Sequence, residues 1–471
     1  MHRGKSIMCS YKVNPSILQN IFRSYDIRGI VGQGLTENNV YTVARAFASE
    51  AIARNNNEIV IGRDGRLSGE KLLATLSQGL RDGGCNVIDI GAQPTPLLYF
   101  ATHLLKTGSG IMLTGSHNPA NYNGLKMMLG GRTLAKGGLK NLYDRIIKDQ
   151  LHRGDGTYKT IDVLDDYIQA MLVDIQLTRS LKIVIDAGNG ITGKVAPRLY
   201  RALGCEVTEL FCDVDGHFPN HHPDPSQPKN LEDLIAAVKE QQADIGLAFD
   251  GDGDRLGVVT HDGISIAADR QMMLYAIDVL GKNPQATIIF DVKCTRFLAD
   301  IIKQHGGKPL MSKTGHSLIK AKMQEESALL AGEMSGHIFF NDRWFGFDDA
   351  LYAGARLLEI IALQNKTASE IFAALPNSIT TPEINVPMAD DEKFTFVEVL
   401  QKQADFANAE INTLDGIRVE FADGWGLLRC SNTTPNLVLR FEADNERVLQ
   451  RIKTLFKTQM LRVNSQLVLD F

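Results

Sequence analysis

The residues whose types and spacing best suit chemistry are Asp250, Asp252 and Asp254, three carboxylates at alternate positions with glycines between them. They follow the apolar pair Ala248-Phe249 and precede Arg255. Gly251 and Gly253 let such a loop curl until its hard oxygen donors converge, a donor set that suits Mg²⁺. An EF-hand loop is excluded, because its sixth and twelfth positions require glycine and glutamate where this chain has Arg255 and His261. A site with Asp250 as nucleophile would place Thr or Val where Asp254 stands, and a plain acidic turn is the remaining alternative.

A second chemical stretch starts at Gly110. The run Ile111-Met112-Leu113 reads as a short buried strand, and it stops abruptly at Thr114-Gly115-Ser116-His117-Asn118-Pro119. Such a loop can hold the Ser116 hydroxyl beyond a strand end, with backbone N–H groups and His117 beside it. Lys126 follows ten residues later. A turn that caps a helix explains the same residues.

Other groups are scattered. In Tyr25-Asp26-Ile27-Arg28-Gly29, the Arg28 fork matches phosphate oxygens, or pairs with Asp26. Gly332-Glu333-Met334-Ser335-Gly336-His337 reads as a hairpin tip offering the carboxylate, hydroxyl and imidazole that pair with sugar hydroxyls, or as a polar turn. Lys313-Thr314-Gly315-His316-Ser317 reads as a similar loop. Arg429-Cys430-Ser431-Asn432-Thr433-Thr434-Pro435 joins two strands as a phosphate cradle or a capped turn. The loop His217-Phe218-Pro219-Asn220-His221-His222-Pro223-Asp224-Pro225 is read as a rigid connection rather than a zinc site, since no cysteine or carboxylate partner has suitable spacing.

Three segments carry these groups and resemble one another. Strands beginning at Ile59, Ile183 and Ile288 each lead into a polar loop, a helix, a glycine stop and another strand. This is the pattern of right-handed βαβ crossovers feeding a mostly parallel sheet, repeated at a domain-sized period. After Pro376 the alternating runs 417–421 and 436–442 read as antiparallel strands, followed by a helix over 446–459. The expected organisation is an α/β fold of three similar α/β domains with mostly parallel mixed sheets, plus a C-terminal α+β domain, around a central cleft. The domains are 1–160 with the serine loop, 161–263 with the carboxylate loop, 264–376 with the sugar loop and 377–471 with the phosphate loop. Ligands sit beyond the carboxyl ends of such strands, so the post-strand loops should share the cleft.

Composition narrows the partners. The 471 residues have 44% hydrophobic and 22% charged content, as in an ordinary globular protein, and a net charge of −5 that disfavours nucleic acid or an anionic membrane. The greasiest stretch, 97–105, is too short to span a bilayer. Six scattered cysteines without a CxxC pair suit a reducing compartment, and a cytoplasmic location is expected.

Taken together, the motifs resemble the α-D-phosphohexomutases, most closely the bacterial phosphomannomutase/phosphoglucomutase branch, along almost the whole chain. The resemblance implies that Ser116 is the phosphorylated serine and that Ser116, Asp250, Asp252 and Asp254 hold Mg²⁺. It implies that Glu333, Ser335 and His337 meet the sugar, and Arg429, Ser431, Asn432 and Thr433 its distal phosphate. Tyr25, Arg28, Lys126, Arg255, Lys293 and His316 fall at further active-site positions, with Lys126 or His337 handling the hydroxyl proton. The implied substrate is a small phosphosugar, the reaction a phosphoryl shift between O1 and O6, and the intermediate and activator a hexose 1,6-bisphosphate. Phosphoglucosamine mutase, which usually carries Gln where Met334 stands, and a catalytically silent sugar-phosphate sensor are the rivals. Gly115 stands where many members have alanine, and the first fifteen residues match no motif.

Overall fold

The computed structural model describes residues 19–23, 25–135, 137–407, 409–431 and 434–471. Asn432 and Thr433, expected in the phosphate loop, and the first fifteen residues lie outside the described residues. The described residues form four sheets.

The first sheet contains β1 (Ile27–Ile30), β2 (Glu58–Arg63), β3 (Asn86–Ala92), β4 (Gly110–Leu113), β5 (Tyr122–Leu129), β6 (Arg132–Thr133) and β7 (Tyr158–Thr160). Its order is β1-β5-β4-β2-β3-β7, with β6 on β5. β2 is parallel to β3 and β4, whereas β5 returns antiparallel along β4. The second sheet contains β8 (Lys182–Asp186), β9 (Glu206–Leu210), β10 (Ile245–Phe249), β11 (Leu256–Thr260) and β12 (Ser265–Ile266), in the order β12-β11-β10-β8-β9. The third contains β13 (Thr287–Asp291), β14 (Lys308–Ser312), β15 (Leu330–Gly332) and β16 (Ile338–Phe340), in the order β14-β13-β15-β16.

The repeat therefore goes further than a crossover. Each central strand (β2, β8, β13) has a parallel neighbour (β4, β10, β15) that turns back into an antiparallel one (β5, β11, β16). The serine loop, the carboxylate loop and the sugar loop are these three return turns. The fourth sheet, of β17 (Ile379–Thr380), β18 (Ile384–Pro387), β19 (Glu410–Asn412), β20 (Ile417–Phe421), β21 (Gly424–Cys430) and β22 (Asn436–Ala443), is antiparallel throughout.

Two helices tie the first three units together. Helix Thr95–Leu104 is apolar over Leu97-Leu98-Tyr99-Phe100-Ala101, all buried. The Phe100 ring packs 5.3 Å from Tyr167 of the second unit and 5.9 Å from Trp344 of the third. Helix Ala350–Ala362 is buried along its whole length, and its two charged residues are paired there, Arg356 with Asp278 and Asp342 and Glu359 with Arg343. One continuous core thus runs from Val60 to Phe372, while a second core, from Ile21 to Leu142, fills the other face of the first sheet. The fourth unit has its own core. It docks through Trp425 and Leu427 against Val292, and Arg418 lies 3.8 Å over the Trp425 ring and donates to the Val292 and Cys294 carbonyls at 2.6 and 2.7 Å.

Candidate active site

The return turns of the first two sheets meet directly. Ser116 Oγ donates to Asp250 Oδ2 at 2.8 Å and lies 3.1 Å from His117 Nδ1. Ser116 has φ +49°, a left-handed conformation rare for a residue with a side chain. Asp250 Oδ1 accepts the backbone N–H groups of Gly253, Asp254 and Arg255 at 3.0, 3.0 and 3.2 Å, which curls the loop on itself. Gly253, at φ +79°, makes the turn.

Lys126, on β5, reaches the same point. Its Nζ donates to Asp252 Oδ2 at 2.7 Å and pairs with Asp254, and Thr95 Oγ1 donates to Asp252 at 2.5 Å. Burial opposes charge on both Lys126 and Asp252, but their pairing outweighs it: the lysine is held well above and the aspartate below its ordinary pKa. Asp250 is pushed well above the carboxylate range by burial and by the Asp254 and Asp252 charges.

Asp250, Asp252 and Asp254 bring ligand atoms within 4.8 Å of one another. Asp252 Oδ1 and Asp254 Oδ1 are buried with no hydrogen bond among the described residues. Hard carboxylate oxygens, converging, buried and unsatisfied, fit a divalent cation of the Mg²⁺ type.

The third return turn closes on this centre. Arg255 Nε donates to His337 Nε2 at 3.0 Å, which leaves the other ring nitrogen, Nδ1, to carry the proton; it faces Asp348 Oδ2 at 3.2 Å and Asp254 Oδ1 at 3.5 Å. The His316 ring stacks on His337 at 5.3 Å, and Asp348 also holds His316 at 3.1 Å and Lys320 at 2.7 Å. Glu333 Oε1 accepts the Gly315 N–H at 2.5 Å, and burial raises its pKa.

Of the remaining expected residues, Tyr25 and, through Asp415, Arg429 gather around residues 314 and 315. Tyr25 OH donates to the Thr314 carbonyl at 3.1 Å. A side chain at Gly315, φ +136°, would meet the Tyr25 ring at 2.8 Å, so only glycine fits this approach. Asp415 Oδ2 accepts both Thr314 N and Arg429 Nε, at 3.1 and 3.0 Å. Arg429 Nη2 is buried with no partner among the described residues. Lys293 Nζ is paired with Glu383 at 2.6 Å, in the connection to the fourth unit. Arg28 is paired with Asp26 at 2.6 Å. Ser335 is half-buried at the tip of its turn, and Ser431 Oγ accepts from Thr434 Oγ1 at 2.8 Å.

Two loop expectations change. His316 and Ser317 are not loop residues but open helix His316–Glu326. In the histidine-rich loop, His221 pairs with the sequence-distant Asp186 at 3.0 Å and His222 contacts the His117 carbonyl, so the connection braces the serine loop.

Several residues of the site had no signal of their own. Asp64, Arg66, Thr95, Lys320, Asp348 and Asp415 hold the functional side chains, and none stands out by spacing. Asp64 had a visible clue: it stands just after a repeat strand, where Asp186 and Asp291 end theirs. All three use a carboxylate to tie down the loop that follows, Asp64 to Arg66 N, Asp186 to Gly188 N and Asp291 to Lys293 N, at 3.0, 2.8 and 3.2 Å.

Burial lowers the His316 pKa to about 4, from an ordinary value near 6.5. The unfolded chain then binds the proton more tightly than the folded one. His316 therefore contributes stability that is fully present above about pH 6.5 and lost as pH falls towards about 4, on the order of 3 kcal/mol in all. His316→Gln should flatten the thermal-midpoint profile between pH 6.5 and 4.5. An unchanged slope in that variant would assign the acid sensitivity elsewhere.

Family models of phosphoglucomutase/phosphomannomutase match four consecutive stretches: alpha/beta/alpha domain I over residues 19–153, domain II over 165–263, domain III over 267–379 and the C-terminal domain over 383–458. A phosphomannomutase/phosphoglucomutase of Pseudomonas putida is 54% identical over 462 residues, covering 98% of this chain and 100% of its own. A phosphoglucomutase of Neisseria meningitidis is 54% identical over 446 residues, covering 94% and 97%. The crystal structure of a phosphoglucomutase/phosphomannomutase family protein from Burkholderia thailandensis superposes with a TM-score of 0.93 at 49% identity, covering 98% of this chain and 100% of that one. With all four domain models in order and relatives of this identity along nearly its full length, the chain belongs to the phosphoglucomutase/phosphomannomutase family of α-D-phosphohexomutases.

Proposed function

We propose that this protein interconverts hexose 1-phosphates and hexose 6-phosphates, with mannose and glucose as its sugars, through a phosphorylated Ser116. The observation that carries the proposal is the convergence of the Ser116 hydroxyl, three buried carboxylates and the Lys126 ammonium on one point. Ser116, Asp250, Asp252 and Asp254 would hold Mg²⁺, which when bound supplies positive charge beside the phosphoseryl oxygen.

The rest of the work falls to side chains. Phosphoserine 116 passes its phosphoryl group to the free O1 or O6 hydroxyl: the Ser116 Oγ–P bond breaks, the sugar O–P bond forms, and the hydroxyl proton leaves to a base. His337 is the candidate base: its Nε2 lone pair, which accepts from Arg255 Nε at rest, takes the proton once Arg255 turns to the transferring group. Lys126, held as an ammonium by two carboxylates, serves as cation and acid instead. The resulting 1,6-bisphosphate turns over in the cleft and returns its other phosphate to Ser116; the same bisphosphate primes an unphosphorylated enzyme. Little covalent chemistry is asked of the protein, so positioning and charge dominate. Glu333, Ser335, His316 and Tyr25 are assigned to the sugar, Arg28 and Arg255 to the transferring group, and Lys293, Arg429, Ser431, Asn432 and Thr433 to the distal phosphate.

No described helix is long and apolar enough to cross a membrane. The five described cysteines are free thiols, which supports a reducing, cytoplasmic setting.

Side-by-side assays of glucose 1-phosphate, mannose 1-phosphate and glucosamine 1-phosphate test the sugar assignment. Exchanging the C1 and C6 ends also exchanges O3 with O4, so Glu333 and Ser335 can serve both poses, whereas O2 has no counterpart across the ring. Glucose and mannose, which differ at C2, should therefore have kcat/KM values within about a hundredfold, or about 2.7 kcal/mol. A wider gap defeats the argument, and glucosamine phosphate proving best would make the protein a phosphoglucosamine mutase. Loss of the enzyme-bound phosphate to hydroxylamine would move it from Ser116 to Asp250, because acyl phosphates are labile to that reagent and phosphoserine is not.

Arg429→Ala should raise KM strongly by removing a charge-assisted phosphate contact of about 1.5–3 kcal/mol. Unaltered kinetics in this variant would take the 429–435 loop out of the site.

A further inference from the structure

We propose that Arg66 is a positioning residue that fixes the Ser116–His117 peptide so that the His117 N–H is presented to the phosphoryl group in transfer. The inference rests on the phosphoserine reading above. Arg66 is 1% exposed and spends its guanidinium almost entirely on one loop. Nη1 donates to the Pro119 and Tyr122 carbonyls at 2.6 and 3.0 Å, and Nη2 to the Ser116 and Asn118 carbonyls at 2.8 and 2.6 Å. Nε donates to Asp64 Oδ2 at 3.2 Å, and the same carboxylate oxygen accepts Thr114 Oγ1 and Gly115 N at 2.8 and 3.1 Å. Asp64 and Arg66 thus hold both sides of the turn on which Ser116 sits.

In a trans peptide the C=O and N–H point in opposite directions, and the described chain has no cis bond. Drawing the Ser116 carbonyl onto Arg66 therefore turns the next N–H, that of His117, away from Arg66. This N–H makes no hydrogen bond among the described residues, although its residue neighbours the nucleophile and its own carbonyl and Nδ1 are both engaged. A donor fixed before reaction, one peptide from the nucleophile, is placed to stabilise charge on the transferring oxygens without reorganising. The planar fork of arginine is needed, because a lysine ammonium cannot span four carbonyls.

The test uses the full-length enzyme with Mg²⁺. Arg66→Lys keeps the charge and loses the fork: kcat should fall about ten- to a hundredfold while KM for the hexose phosphate stays within about twofold. The ³¹P resonance of the enzyme-bound phosphate should shift. Arg66→Ala should recover part of its kcat with millimolar guanidinium ion, which can occupy the vacated site. An unchanged kcat and ³¹P resonance in Arg66→Lys overturns the proposal, as does a folded Arg66→Ala that guanidinium fails to restore. If the alanine variant does not fold, the lysine variant alone decides. Absence of a phosphoserine signal in the unaltered enzyme would overturn the phosphoserine reading itself, a result distinct from indifference to Arg66.

Discussion

Ser116→Ala lowers kcat by at least about four orders of magnitude, because the hydroxyl that accepts and returns the phosphoryl group is gone and no neighbour replaces it. Stability should change little, by about 1–2 kcal/mol, since only the contacts to Asp250 and His117 are lost. Steady-state kinetics with added glucose 1,6-bisphosphate and intact mass before and after priming read both effects. Substantial turnover, or a phosphoryl adduct in the variant, would falsify the assignment of Ser116.

The second large effect is expected at Lys126. Its ammonium neutralises two buried carboxylates, and Lys126→Ala leaves Asp252 and Asp254 facing each other without it. Removing one partner of such an arrangement costs about 3–5 kcal/mol. The cost should depend on metal: a dication bound by the same carboxylates restores the missing charge and stabilises by mass action. Thermal unfolding of the variant should thus show a low midpoint in chelator and a large rise with Mg²⁺, larger than in the unaltered protein. Activity should fall as well, since the proposed mechanism uses Lys126 as its cation and acid. Equal responses to Mg²⁺ in both proteins would mean that the carboxylates do not share one ion.

Much of this site is visible in the sequence because it sits in turns that break strong local patterns. The runs before Thr114, Asp250 and Glu333 are apolar strands, and each stops at glycine and polar residues that no core would choose. The repeated crossover was legible for the same reason. Of the return strands, β16 was legible as the far side of a hairpin tip, whereas β5 and β11 were not, and with them went the recognition that the three loops occupy one position in three copies. A crossover announces itself by a helix and a glycine stop, whereas the return strand follows a loop whose residues are chosen for chemistry. The supporting residues were illegible for a different reason. Arg66 follows a repeat strand without a motif of its own, and Lys320 lies in a helix that no chemical pattern marks. Their meaning comes from partners 50 residues away on the serine loop, and 221 residues away at Tyr99. Local periodicity carries no record of such pairings.

The two-faced first sheet also sets an order of events during synthesis. The core from Ile21 to Leu142 lies within the first third of the chain and can close soon after it leaves the ribosome. The other face cannot, because helix Thr95–Leu104 packs on residues as late as Trp344. The 244 residues added after Phe100, up to and including Trp344, take roughly 10 to 50 s to make at about 5–20 residues per second. For that interval the nascent chain lacks the Trp344 ring that stacks on Phe100, on an otherwise folded unit. That ten-residue helix is where a chaperone would find this protein, and where a stalled or truncated product would stick to its neighbours.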